Sequence, residues 1–169
     1  GQVIERALER GRLAHALLLH GGNKDSLESF ARHLAARLLE LDSTWPDRGA
    51  GHPDFVTLRP SGKSRQIRIG TDATDANSMR AFIRQLAQSP LSAPRKVGVV
   101  FEADRLNPSS ANAFLKTLEE PPLGTTIVLL TPRPYSLLPT IRSRCLNFRL
   151  PEAPPVADDP VLAAWLEDY

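Results

Sequence analysis

The chain has 169 residues, 41% of them apolar and 24% charged, with 21 basic against 19 acidic side chains and a net charge of +2. That length supports one domain with its own hydrophobic core, and no apolar stretch reaches the ~18 residues that a membrane-spanning helix needs. Cys145 is the only cysteine, which excludes an intrachain disulfide and any cysteine-based zinc site and fits a reducing, cytoplasmic setting. His15, His20, His33 and His52 have no metal-ligand spacing. Gly1 to Arg10 mix charged and apolar residues and do not read as a signal peptide. We take Gly1, which stands where a Met would, as a trimmed end.

In chain order, Val3, Ile4, Ala7 and Leu8 predict a short amphipathic helix stopped at Gly11. Ala16 to Leu19 is an apolar run of strand length, suited to a strand buried on both faces, and Gly21-Gly22 break it. Leu27, Phe30, Ala31, Leu34, Leu38 and Leu41 recur at helical spacing and predict a helix over Ser26 to Leu41, with Asp25 and Glu28 spaced as a capping box. Ser43 to Asp54 reads as a loop, Phe55 to Leu58 as a strand, and Pro60 to Thr74 as a polar loop with an extended piece at Ile67 to Ile69. Met79, Phe82, Ile83 and Leu86 mark a helix, followed by a turn between Pro90 and Pro94. Val97 to Phe101 is an apolar strand. Asn107-Pro108 then starts a helix lined by Ala111, Phe114, Leu115 and Leu118 and ended by Pro121-Pro122. Thr126 to Leu130 is another buried strand, and after a short helix Leu146, Phe148 and Leu150 alternate with polar residues as a half-exposed strand would. This alternation predicts an α/β fold, a central, mainly parallel five-stranded sheet with helices on both faces. Pro151 to Pro160 reads as a linker and Val161 to Tyr169 as the first helix of a further unit, so that 1–150 form the domain and 151–169 a linker and the start of a truncated lid. The basic clusters Lys63 to Arg68 and Arg142 to Arg149 could meet phosphate, but read more simply as solvated surface.

In such a fold the first strand-to-helix turn is the place for phosphate. A working phosphate loop there reads G-x-x-x-x-G-K-[ST]. Here Gly21 holds the first position, but Ser26 replaces the second glycine, Leu27 the lysine and Glu28 the hydroxyl residue that holds magnesium. Leucine cannot stabilise phosphate charge, and Asp25 and Glu28 would repel it. Lys24 lies three residues too early, and the wrapping glycines do not move with it. After the third strand, Glu102 can take a metal-holding position. Ala103 then stands where a catalytic acid would, and Asp104 is out of register. Read without that chemistry, Glu102 and Asp104 are loop acids near the Asn107 cap.

Several stretches together resemble the bacterial clamp-loader AAA+ subunits. They are Leu13 to Leu18, Ala103 to Asn107 with Ala111 to Pro122, which includes Leu-Glu-Glu-Pro-Pro, and Leu137 to Cys145, which includes Ser-Arg-Cys. The resemblance spans about 140 residues, Arg12 to Leu150. It implies an AAA+ fold of three layers. The broken phosphate loop points to the delta-prime type, the non-hydrolysing partner of the ATP-binding motor subunits. The family's four-cysteine zinc module has no counterpart here, and Gly70 to Asn77 is longer than the family's loop.

The resemblance further implies that Arg144 is an arginine finger for the ATP of a neighbouring subunit, with Ser143 and Cys145 positioning its loop. Taken alone, Arg144 would read as a surface arginine, and Cys145 as a packed small residue rather than a nucleophile. Thr131 falls where the family has a nucleotide sensor and reads here as a strand-end hydroxyl. No nucleotide bound in cis and no zinc are expected. Motor (tau/gamma-type) and delta subunits, a sliding clamp and primer-template DNA are the implied partners, with no membrane. The chain alone is expected to be a monomer. Two alternatives stay open: an active clamp-loader ATPase with a divergent phosphate loop, and a regulatory AAA+ relative outside replication.

Overall fold

The structure, a computed structural model, describes residues 15–49, 51–71 and 75–150. The helix expected near Val3 and the linker and lid expected over 151–169 lie outside these residues. The described elements are β1 (Ala16–His20), α1 (Lys24–Leu38), β2 (Phe55–Leu58), α2 (Met79–Ala87), β3 (Lys96–Val100), α3 (Pro108–Glu119), β4 (Thr125–Thr131), α4 (Pro139–Arg142) and β5 (Leu146–Arg149). Short 3-10 turns occupy Trp45–Arg48, Ala103–Arg105 and Pro134–Ser136, so the expected loop after α1 carries one helical turn.

The sheet runs β2-β3-β4-β1-β5, and every pairing is parallel. The apolar runs of β1, β3 and β4 become its interior because both of their faces are covered. Side chains alternate between two cores. Leu17, Leu19, Val99 and Leu130 meet α1 through Leu27, Phe30 and Leu34. Ala16, Leu18, Ile127 and Leu129 meet α2 and α3 through Phe82, Leu86, Phe114 and Leu118. In β5, Phe148 is buried while Leu146 is exposed, because this edge strand is covered fully on only one face.

Two details hold the strand ends in place. Gly98 in β3 lets α2 lie close: a Cβ there would stand 2.6 Å from Leu86 Cδ2 and 2.9 Å from Phe82 Cζ. Asp54, fully buried just before β2, accepts backbone N–H groups of Leu91 (2.7 Å), Ser92 (2.8 Å) and Ala93 (2.7 Å). Burial pushes the Asp54 pKa up, but those three donors outweigh it, and His52 adds to them, so the carboxyl lies at about 2.

Candidate functional site

Gly21 and Gly22 both adopt left-handed backbone, with φ of 84° and 59°. That conformation is open to glycine at little cost, and it turns the chain back within three residues. Asn23 then caps α1, its Oδ1 accepting from Ser26 N at 2.9 Å and Ser26 Oγ at 3.0 Å. The helix therefore starts at Lys24 rather than Ser26, and Asn23 replaces the expected Asp25–Glu28 capping box. Asp25 lies in the first turn, and α1 ends at Leu38, leaving Leu41 outside it.

This early start fixes where the residues of the first strand-to-helix turn point. Ser26 and Leu27 are buried, Leu27 in the core beneath α1. Glu28 is turned to Arg59, 3.2 Å away, whose guanidinium lies 3.6 Å from the centre of the Phe101 ring. Lys24 Nζ stands 3.3 Å from Glu102 Oε2, and Arg65 Nη2 stands 2.8 Å from the same oxygen. Glu102 follows β3 with a left-handed φ of 51°, a conformation costly for a residue with a Cβ. Ala103 is fully buried.

Glu102 and Asp104 lie in the segment between β3 and the Asn107 cap, and that cap does not use them: Asn107 caps α3 through its own side chain, accepting from Ser110 N at 2.8 Å. Asp104 Oδ1 accepts from Thr131 Oγ1 at 2.8 Å, and Thr131 Oγ1 accepts from Arg133 N at 2.9 Å. Thr131 is buried at the end of β4 and its one hydroxyl proton goes to Asp104. Lys24 and Arg65 thus share the Glu102 carboxylate just after β3. The sequence marked the loop residues but not Arg59, Arg65 or the Asp104–Thr131 pair, whose partners are remote in the chain.

The second cluster follows α4. Arg144 Nε donates to Glu119 Oε1 at 2.7 Å, and its Nη1 donates to the Thr140 carbonyl at 2.7 Å. Ser143 Oγ donates to the same carbonyl at 3.1 Å. Cys145 packs into the core beneath α3, and burial pushes its thiol up to about 12. Both place it as a small packed residue. Beside this turn an open cavity of about 480 Å³ is lined by His20, Pro134, Tyr135, Pro139, Arg142, Ser143 and Asn147. Burial, with a smaller effect of Arg149, lowers the His20 pKa and favours its neutral form. No sequence signal marked this cavity. Among the described residues no group of three His, Cys, Asp or Glu side chains is placed to hold a metal ion, and no helix is long and apolar enough to cross a membrane.

Residues 1–154 match the family described as DNA polymerase III, delta subunit. The chain belongs to this family. Within the DNA polymerase III subunits it is similar to DNA polymerase III subunit delta' of Pseudomonas aeruginosa, at 32% identity over 84% of the chain and 44% of the relative. Delta' of Escherichia coli is 42% identical over a shorter stretch, 56% of the chain and 26% of the relative. The tau subunit of Escherichia coli is 31% identical over 88% of the chain and 23% of its own length. The chain therefore spans less than half the length of these DNA polymerase III relatives. A crystal structure of a DNA polymerase III gamma subunit-related protein from Thermotoga maritima superposes with a TM-score of 0.71 at 27% identity, covering 89% of this chain and 45% of that one. The AAA+ fold and the delta-prime resemblance expected from the sequence are borne out by these matches.

Proposed function

We propose that this domain serves in a clamp loader of DNA polymerase III as a subunit that hydrolyses no ATP itself and offers Arg144 to the ATP site of a neighbouring motor subunit. The observation that carries the reading is the early start of α1. With the helix beginning at Lys24, the position of the phosphate lysine is Leu27, buried in the core, and Lys24 is held by Glu102. Phosphate loops wrap their ligand with backbone N–H groups, and the turn over 21–23 is too short to do so.

An arginine finger acts on charge spreading over the transferred phosphoryl group and accelerates hydrolysis by about 10³–10⁵ in other systems. Arg144 suits the role because it stands on a braced turn, with Ser143 leaning on the same Thr140 carbonyl and Cys145 anchored beneath. Its partners on this reading are tau/gamma-type motor and delta subunits, and within the complex a sliding clamp and primer-template DNA, in the cytoplasm.

Two measurements on the full-length subunit test the reading. Calorimetry with magnesium and millimolar ATP is expected to give no binding. Arg144→Ala, in a loader reconstituted with clamp and primed DNA, is expected to abolish hydrolysis at the adjoining motor site. Micromolar ATP binding would return the chain to the motor-subunit reading with Lys24 as a displaced phosphate lysine. An unimpaired Arg144→Ala loader would remove the finger role.

A further inference from the structure

Glu119 closes α3 in the Leu-Glu-Glu-Pro-Pro segment, at the negative end of the helix dipole, where a carboxylate is unfavourable. Helix stability therefore gives no reason for an acid at this position. Its carboxylate reaches across 25 positions of sequence to Arg144, with Oε1 accepting from Nε at 2.7 Å and lying against Nη2 as well. Nη1 is bound in turn to the Thr140 carbonyl.

A guanidinium has five N–H groups in a rigid plane. Three of them face Glu119 and Thr140, through Nε, Nη2 and Nη1. One N–H remains on each terminal nitrogen, a pair suited to two oxygens of a phosphoryl group. Arginine is long and rotamer-rich, and holding it in one orientation before the phosphate arrives lowers the entropy lost on contact.

Resting on the finger reading proposed above, we infer that Glu119 is the positioning residue for Arg144: it grips the inner edge of the guanidinium and presents the outer edge to an external phosphoryl group. The pair is half exposed, with side-chain exposures of 31% for Arg144 and 49% for Glu119. An exposed pair of this kind is a modest interaction, so Glu119 tunes the finger and does not replace it.

The test uses the full-length subunit in a reconstituted loader, with ATP turnover on clamp and primed DNA resolved into kcat and KM. Four variants are compared: Arg144→Ala, Glu119→Ala, Glu119→Gln and the double variant Arg144→Ala/Glu119→Ala. Glu119→Ala is expected to lower kcat about 5-fold with KM unchanged. Glu119→Gln, whose amide oxygen still accepts from Nε–H, is expected to recover most of that loss. In the Arg144→Ala background, removing Glu119 is expected to add nothing, since it acts only through the arginine. The positioning role is overturned by a Glu119→Ala loader at full rate or faster, by a loss that persists in the Arg144→Ala background, or by Glu119→Gln no better than Ala. If Arg144→Ala itself runs at full rate, the finger reading fails first, whatever Glu119 does. Melting temperatures of the variants, expected to match the parent, exclude misfolding as the cause of any loss.

Discussion

Asp54 ties the start of β2 to residues 91–93 with a buried carboxylate and three backbone donors. Its folded pKa of about 2 lies below the ordinary 3.8. A depressed acid contributes stability that is complete above its unfolded pKa and fades as pH falls through the folded one, so the window for this group runs from about 4 down to about 2. Asp54→Asn is expected to cost about 2 kcal/mol at pH 7, since it weakens charged hydrogen bonds. Near pH 2 the gap from the parent should close. Urea unfolding of the full-length subunit at the two pH values measures it, and a gap of constant size would show that the charge is not what matters. Nothing in the sequence marks Asp54 for this role, because its partners lie 37 to 39 positions away. Long separations, 37 and 25 positions, likewise hid Arg65 behind Glu102 and Glu119 behind Arg144, whereas Asn107 as a cap was legible because cap and donor are neighbours.

Elements were read from periodicity, and periodicity is blind to phase at a helix start. Two overlapping cap patterns exist around the start of α1, Asn23 with Ser26 and Asp25 with Glu28. The left-handed pair Gly21-Gly22 decides for the earlier by letting the chain turn at once. Leu27 thereby falls inside the core, from which it follows that rebuilding the motif cannot rebuild the site. Leu27→Lys is expected to destabilise the fold by about 3 kcal/mol or more, through an unpaired buried charge, and to give no ATP binding. A stable variant that binds ATP would mean that the start of α1 can shift. Gly98 tests the packing of α2 on β3. Its neighbours Phe82 and Leu86 are themselves buried, leaving an added methyl no room, and Gly98→Ala is expected to cost about 1–3 kcal/mol by overpacking. Thermal unfolding of the full-length subunit measures it, and an unchanged melting temperature would show that α2 is loosely seated. A glycine inside an apolar run signals close approach in sequence, but not which helix approaches.

At the scale of the whole molecule, the fold puts the Glu102 ion pairs and the Arg144 turn on one scaffold. The ion pairs depend on the ends of β1 and β3, while the Arg144 turn depends on α4 staying seated on α3. Strand identity was legible because interior parallel strands are apolar on both faces. The order β2-β3-β4-β1-β5 was not legible, because no single strand's composition names its neighbours. Cys145 reports on whether the Arg144 turn stays seated. It lies one residue after Arg144, in the core shared with α3, and its thiol is held up at about 12. At pH 8 both burial and protonation shield it from alkylation, since the thiolate is the reactive form. If the turn opens only when the domain unfolds, alkylation of Cys145, followed by peptide mapping of the full-length subunit, should track global stability. Gly98→Ala should then speed it by about 5- to 150-fold, the population ratio equivalent to about 1–3 kcal/mol. Glu119→Ala, which removes only an exposed pair, should leave the rate within a few-fold of the parent. Rapid labelling of the parent in native buffer would instead mean that the turn opens locally, and the Glu119 and Thr140 contacts would then not hold Arg144 in one orientation.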